Sequence, residues 1–183
     1  MKVQIASDLH IERYHPRVPR VKDLLTPTAP ILILAGDIGR VEHWEQYSSF
    51  IVNVCHLFDE VILVAGNHEY YTNDPALTMS DVNTKLNSLS KLAPNLVFLN
   101  NQIHILGKHV IFGTTFWSEI PSRSILGLPI FSEPKVQMNS TYYNMLHFQA
   151  KSQVETQIRK TKNLIVVSHH APTFDGTLAP KYI

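Results

Sequence analysis

Short apolar runs punctuate this chain at residues 3–6, 31–34, 61–64, 96–99, 102–105, 110–113 and 164–168. Runs of this length, rich in Val and Ile, predict strands. Those at 31–34 and 61–64 are apolar at every position, the pattern of strands buried on both faces of a parallel sheet. Between them the period changes. Residues 42–58 place Trp44, Tyr47, Phe50, Ile51, Val54 and Phe58 on one helical face. Residues 77–92 carry Leu86, Leu89 and Leu92, with Ser80-Asp81 as the expected N-cap region and Pro94 closing the helix. A third helix is expected over 142–160, where the apolar positions are less regular. Strands alternating with helices predict a layered α/β fold with parallel pairing in the first half. The stretch 96–113, turning at Leu106-Gly107-Lys108, predicts antiparallel strands in the second. Residues 118–138, with Pro121, Pro129 and Pro134 and no clear period, read as a long loop, either a lid or simply mobile.

At 183 residues, 44% hydrophobic and 17% charged, the chain can bury the core of one folded domain. A net charge of +1 leaves no electrostatic footprint for nucleic acid or an acidic membrane. The cluster Arg13, Arg17, Arg20 and Lys22, interleaved with Pro16 and Pro19, reads as a solvated loop rather than a phosphate-steering patch. Cys55 is alone, so no intrachain disulfide is possible, and it is expected to pack as a small apolar residue. No run approaches the roughly 20 apolar residues of a membrane span, and no signal peptide is visible. The expected setting is soluble and cytoplasmic. His15, His43, His56, His104, His109 and His147 read as surface or satisfied histidines.

The chemistry gathers where apolar runs end. Asp8-Leu9-His10 follows the first, Gly36-Asp37-Ile38-Gly39 the second, Gly66-Asn67-His68-Glu69 the third, and Ser168-His169-His170-Ala171-Pro172 the last. Carboxyl ends of parallel strands are where such folds present their sites. Asp8 and His10, two residues apart at a strand end, are expected to point to one side and share a divalent ion. Asp37 between glycines has two oxygens and can bridge two cations; in isolation it also fits a helix cap near Val41. Asn67 offers a neutral amide oxygen, and His169 or His170 the next imidazole. Glu69 is expected to support its turn or orient a neighbour, and Arg40 either reaches a phosphate or is solvated. No nucleophile elbow or P-loop sequence is present.

In order and residue type these motifs resemble those of the calcineurin-like metallophosphoesterases, whose pattern runs D-x-H, G-D-x-x, G-N-H-[DE] and H-x-x-P. The resemblance implies a β-sandwich flanked by helices with the site at one edge. It implies two divalent ions (Mn²⁺, Fe, Zn²⁺ or Ni²⁺), one kept by Asp8, His10 and Asp37, the other by Asp37, Asn67 and His169. Spacing to Pro172 selects His169 as the ligand, which leaves His170 beside it or on the substrate. His68 is implied to be no ligand: it contacts the substrate, steadying phosphoryl charge or protonating the departing alkoxide. The implied reaction is attack of a metal-bridging hydroxide on a phosphate mono- or diester, without a phosphoenzyme. Small phosphate esters and nucleotides fit as substrates, and the near-neutral charge disfavours long nucleic acids.

One departure stands out. The family's closing Gly-His-x-His motif, which gives one histidine to each metal, does not occur, and the sequence stops at Pro180-Lys181-Tyr182-Ile183. A truncated product, a short natural form, and histidines from another chain each account for this, and the abrupt close favours truncation. The expectation is thus a single domain over 1–183 with its C-terminal part missing, weak metal binding and low, metal-dependent activity. An open sheet edge would then invite homo-oligomers. Two other functions remain open at this point: a protein-interaction scaffold with a dead site, and a mononuclear metal-binding module without turnover.

Overall fold

Alternate side chains of the early apolar runs go to opposite sides of one sheet, and this fixes where both cores lie. The computed structural model describes residues 2–121 and 127–173. Strands β1 (Val3–Ala6), β2 (Ile31–Ala35), β3 (Glu60–Val64) and β4 (Leu96–Leu99) pair in parallel, in chain order. Leu32, Leu34, Val61, Leu63 and Leu96 belong to the larger core, with helices α2 (Trp44–Cys55) and α3 (Met79–Ser88). The short helix α1 (Val21–Leu24) lies between β1 and β2. Tyr47, Phe50, Ile51 and Val54 of α2 are fully buried, as the expected helical face requires. Ile33, Ile62, Val64 and Leu99 belong instead to a second core with Leu106, Ile111 and Val167.

Those last residues come from a second sheet, β5 (Gln102–Leu106), β6 (His109–Thr114) and β9 (Leu164–Ser168), in the order β5-β6-β9. The expected antiparallel pair is β5 and β6, joined across Gly107, while β6 and β9 run parallel. Between them the chain passes through α4 (Ser140–Lys160). Two sheets sharing a core, with helices outside the first, make the layered α/β fold that the alternation of strands and helices predicts.

Local details depart from the sequence reading. Helix α3 starts two residues earlier than Ser80-Asp81 indicated: Thr78 is the N-cap, forming a capping box with Asp81. The basic stretch is not a plain loop, because α1 buries Val21 while Arg20 pairs with Asp23 at the surface (2.8 Å). Within 118–138 a small hairpin forms, β7 (Phe131–Glu133) and β8 (Val136–Gln137); residues 122–126 of that segment lie outside the described residues. So do residues 174–183, including the closing Pro180-Lys181-Tyr182-Ile183. His147 is buried and satisfied by the Trp117 carbonyl. Among the described residues no helix is long and apolar enough to cross a membrane.

Candidate metal centre

The loops after β1 and β2 continue the hydrogen bonding of the sheet beyond its last residues. The N–H groups of Asp8, His10 and Ile11 donate to the carbonyls of Gly36, Asp37 and Ile38 at 3.0, 3.1 and 2.9 Å. Asp8, His10 and Asp37 nevertheless sit in left-handed backbone (φ 56, 49 and 54°). Strand alternation therefore does not describe how Asp8 and His10 are placed: the expected continuation of the strand is replaced by two left-handed turns. Asp8 gathers with Asp37 and His169, while His10 gathers with Glu12 and His68; each trio brings its ligand atoms within 4.8 Å. Left-handed backbone costs a non-glycine residue of order 1 kcal/mol, and here the interloop hydrogen bonds hold it in place.

Glycine is required where these loops meet. A Cβ on Gly66 would fall 2.2 Å from Asp37 Oδ1 and 2.8 Å from His169 Nε2. Gly36 has φ 89°, and a Cβ there would lie 2.5 Å from His169 Nδ1.

Beneath the site lies Glu69, fully buried. Its carboxylate accepts from the backbone N–H groups of Gly66 (2.7 Å), Ile38 (2.8 Å), Asp37 (3.0 Å) and Gly39 (3.4 Å), and from the Tyr47 hydroxyl (3.3 Å). One side chain thus clamps the loop after β2 to the loop after β3. Burial, and then the charge of Asp37, push its carboxyl above the usual range, against the pull of the backbone donors.

Asp37 is the residue both trios share a border with. Its Oδ1 accepts from the His68 N–H (2.9 Å) and lies 3.3 Å from His169 Nε2. Its Oδ2 stands 3.9 Å from the Nε2 of both His10 and His68. His169 Nδ1 donates to the Ala35 carbonyl (2.9 Å), which leaves Nε2 turned to Asp37 and to Asn67 Oδ1 (3.2 Å). His170 Nε2 reaches the same Asn67 oxygen at 3.1 Å. Burial alone would lower the His169 pKa, but the Asp37 carboxylate overrides it and raises His169 to about 9. Burial raises the Asp37 carboxyl, but hydrogen bonds from His169 and from the His68 N–H outweigh it and bring the group below the usual carboxylate range. His170, buried next to that cation, is pushed down to about 4. Carboxylate, amide oxygen and imidazole nitrogens converging this closely form a donor set suited to divalent ions, and a second partner on the far nitrogen of His169 fixes the tautomer a ligand needs.

A calcineurin-like phosphoesterase family profile matches residues 1–181. The chain belongs to the calcineurin-like phosphoesterase family. Members of this family are metal-dependent hydrolases of phosphate esters. One relative, an uncharacterized protein of Acanthamoeba polyphaga mimivirus, is 28% identical over 166 residues, 82% of this chain. The chain spans 58% of that relative's length. Among solved structures, the phosphopantetheinyl hydrolase of Mycobacterium tuberculosis superposes with a TM-score of 0.65 at 19% identity, covering 92% of this chain and 68% of its own. A second solved structure gives 0.58 at 13% identity, covering 93% of this chain and 69% of its own. At such identities these two establish a shared fold.

In this calcineurin-like phosphoesterase every motif residue singled out from the sequence comes to one end of the first sheet: Asp8, His10, Asp37, Asn67, His68, His169 and His170. Arg40 lies at the border. Its guanidinium is 5.9 Å from the Tyr71 ring, which packs 4.6 Å from His68, and its buried Nε has no hydrogen-bond partner among the described residues. Tyr71 also accepts from the Asn67 amide through its hydroxyl (2.9 Å). Glu12 went unread in the sequence. It stands 3.1 Å from His10 Nδ1 and 3.0 Å from His68 Nδ1. An acidic residue two places after the first motif was the available signal, and nothing local tied it to His68.

Proposed function

We propose that this chain hydrolyses a small phosphate ester, a monoester or diester such as a nucleotide, using two divalent ions. Asp8, His10 and Asp37 hold one and Asp37, Asn67 and His169 the other. The observation that carries this is Asp37, whose two oxygens address His169 on one side and His10 and His68 on the other. When bound, such ions neutralise phosphoryl charge and make water nucleophilic at neutral pH.

The chain's own residues then divide the remaining work. His68 is held by its N–H bond to Asp37 Oδ1, and its part-exposed ring stands beside Asp37 Oδ2, where it meets the phosphoryl or leaving-group oxygen. Arg40, whose Nε has no partner among the described residues, and His170 bracket the substrate. Hydrolysis of phenyl phosphate and its diester with added Mn²⁺ tests the reading: no turnover with metal bound, or no metal at all, overturns it. His68→Ala is expected to keep its metal while slowing hydrolysis roughly 10²–10⁴-fold. Loss of metal in that variant would make His68 a ligand instead.

Metal uptake carries a pH signature. With a pKa raised to about 9, His169 holds a proton at neutral pH that a ligand must give up. Mn²⁺ affinity should therefore climb as pH rises towards about 9, with a proton released on binding. Calorimetry in buffers of different ionisation enthalpy measures that proton. A pH-independent affinity without proton release argues against His169.

A further inference from the structure

We propose that Glu12 is a positioning residue that holds His10 and His68 with a single carboxylate oxygen and so aims both rings at Asp37. The inference rests on the reading of His68 and His10 above and adds the residue that orients them.

Glu12 follows the left-handed His10 in a tight 3-10 turn, Ile11–Tyr14, which folds its side chain back over the motif that precedes it. Its Oε1 lies 3.1 Å from His10 Nδ1 and 3.0 Å from His68 Nδ1. A carboxylate oxygen only accepts, so both Nδ1 atoms are the donors. Each ring is then left with Nε2 as its free nitrogen, and both Nε2 atoms stand 3.9 Å from Asp37 Oδ2. For His10 that is the atom a metal takes; for His68 it is the atom a phosphate meets. The rings pack edge to face at 4.5 Å, so neither turns without the other.

The Glu12 side chain is only 12% exposed, and the buried Oε2 has no hydrogen-bond partner among the described residues. Glu12 as a metal ligand is the competing role, since the same three residues bring donor atoms within 4.8 Å of one another, and the metal content of the glutamine variant separates the two.

Glu12→Gln keeps the size and removes the charge. Whichever amide atom faces the rings, the hold weakens or the wrong tautomers are favoured. With Mn²⁺ at saturation and phenyl phosphate as substrate, kcat should fall roughly 10–100-fold. KM should stay within about twofold, because the lost contact serves the reacting geometry and not ground-state binding. The loss should shrink on p-nitrophenyl phosphate, whose leaving group needs less help. The double variant Glu12→Gln with His68→Ala should lose less than the product of the two single losses, since only the hold on His10 is left to break once His68 is gone. Glu12→Ala, which leaves no buried amide, repeats the test if the glutamine variant folds poorly.

If Glu12→Gln turns over at the wild-type rate while His68→Ala is slow, the positioning role falls and the function stands. Losses that multiply in the double variant also overturn it, as does a metal missing from Glu12→Gln at saturating Mn²⁺. His68→Ala at the wild-type rate overturns the His68 assignment and this proposal together.

Discussion

Replacing Asp37 by Asn is expected to remove metal-dependent hydrolysis almost entirely. The asparagine side chain tolerates the left-handed backbone at this position (φ 54°), so the fold is spared. What disappears is the charge and one of two ligand oxygens, at the residue that faces both His169 (3.3 Å) and the His10–His68 pair (3.9 Å). Metal stabilisation of phosphoryl charge is worth several kcal/mol, which corresponds to on the order of 10³-fold in rate. Metal analysis alongside phenyl phosphate turnover measures both effects. An Asp37→Asn protein with its full metal complement and a near wild-type rate would sink the bridging role.

The largest expected loss of stability lies one layer below. Glu69→Ala strips the acceptor from the backbone N–H groups of Gly66, Ile38, Asp37 and Gly39 inside a region from which water is excluded. Each unsatisfied buried donor costs about 1–3 kcal/mol, less what local relaxation recovers. We expect a destabilisation of roughly 3–5 kcal/mol, a large share of the ~5–15 kcal/mol available to a folded domain. Glu69→Gln, which keeps one carbonyl oxygen in place, should lose visibly less. Urea unfolding of the metal-free proteins provides the measurement, and an unchanged midpoint for the alanine variant would refute the clamp.

The strands were the most legible part of this chain. Ile31-Leu32-Ile33-Leu34 and Val61-Ile62-Leu63-Val64 are apolar throughout because one side of each faces helices and the other faces the second sheet. Motif residues were legible for a related reason: they sit directly after those runs. Conformation at the strand end was not. Asp8 and His10 read as neighbours on one face only if the strand continues, and it does not; their positive φ follows from hydrogen bonds to the loop after β2. Thr78 was passed over for Ser80-Asp81 because capping depends on where the helix backbone begins, which tertiary packing decides. The β7–β8 hairpin is too short and proline-flanked to show a period. Glu12 illustrates the wider limit: its partner His68 is 56 residues away, and no local pattern encodes that contact.

The two trios differ in when the chain can complete them. His10, Glu12 and His68 all lie within the first strands and loops, whereas Asp8 and Asp37 wait for His169, which arrives on β9 of the other sheet. As the polypeptide emerges from the ribosome, the first group can assemble while the second still lacks its imidazole. Under the proposed ligand assignment, an ion held by Asp37, Asn67 and His169 would act as a late fastener between the sheets. Its binding energy, about 2.7 kcal/mol at a hundredfold excess over Kd, would help keep β9 docked. Metal scarcity would in that case loosen β9 first, exposing it to proteases while the first sheet stays closed.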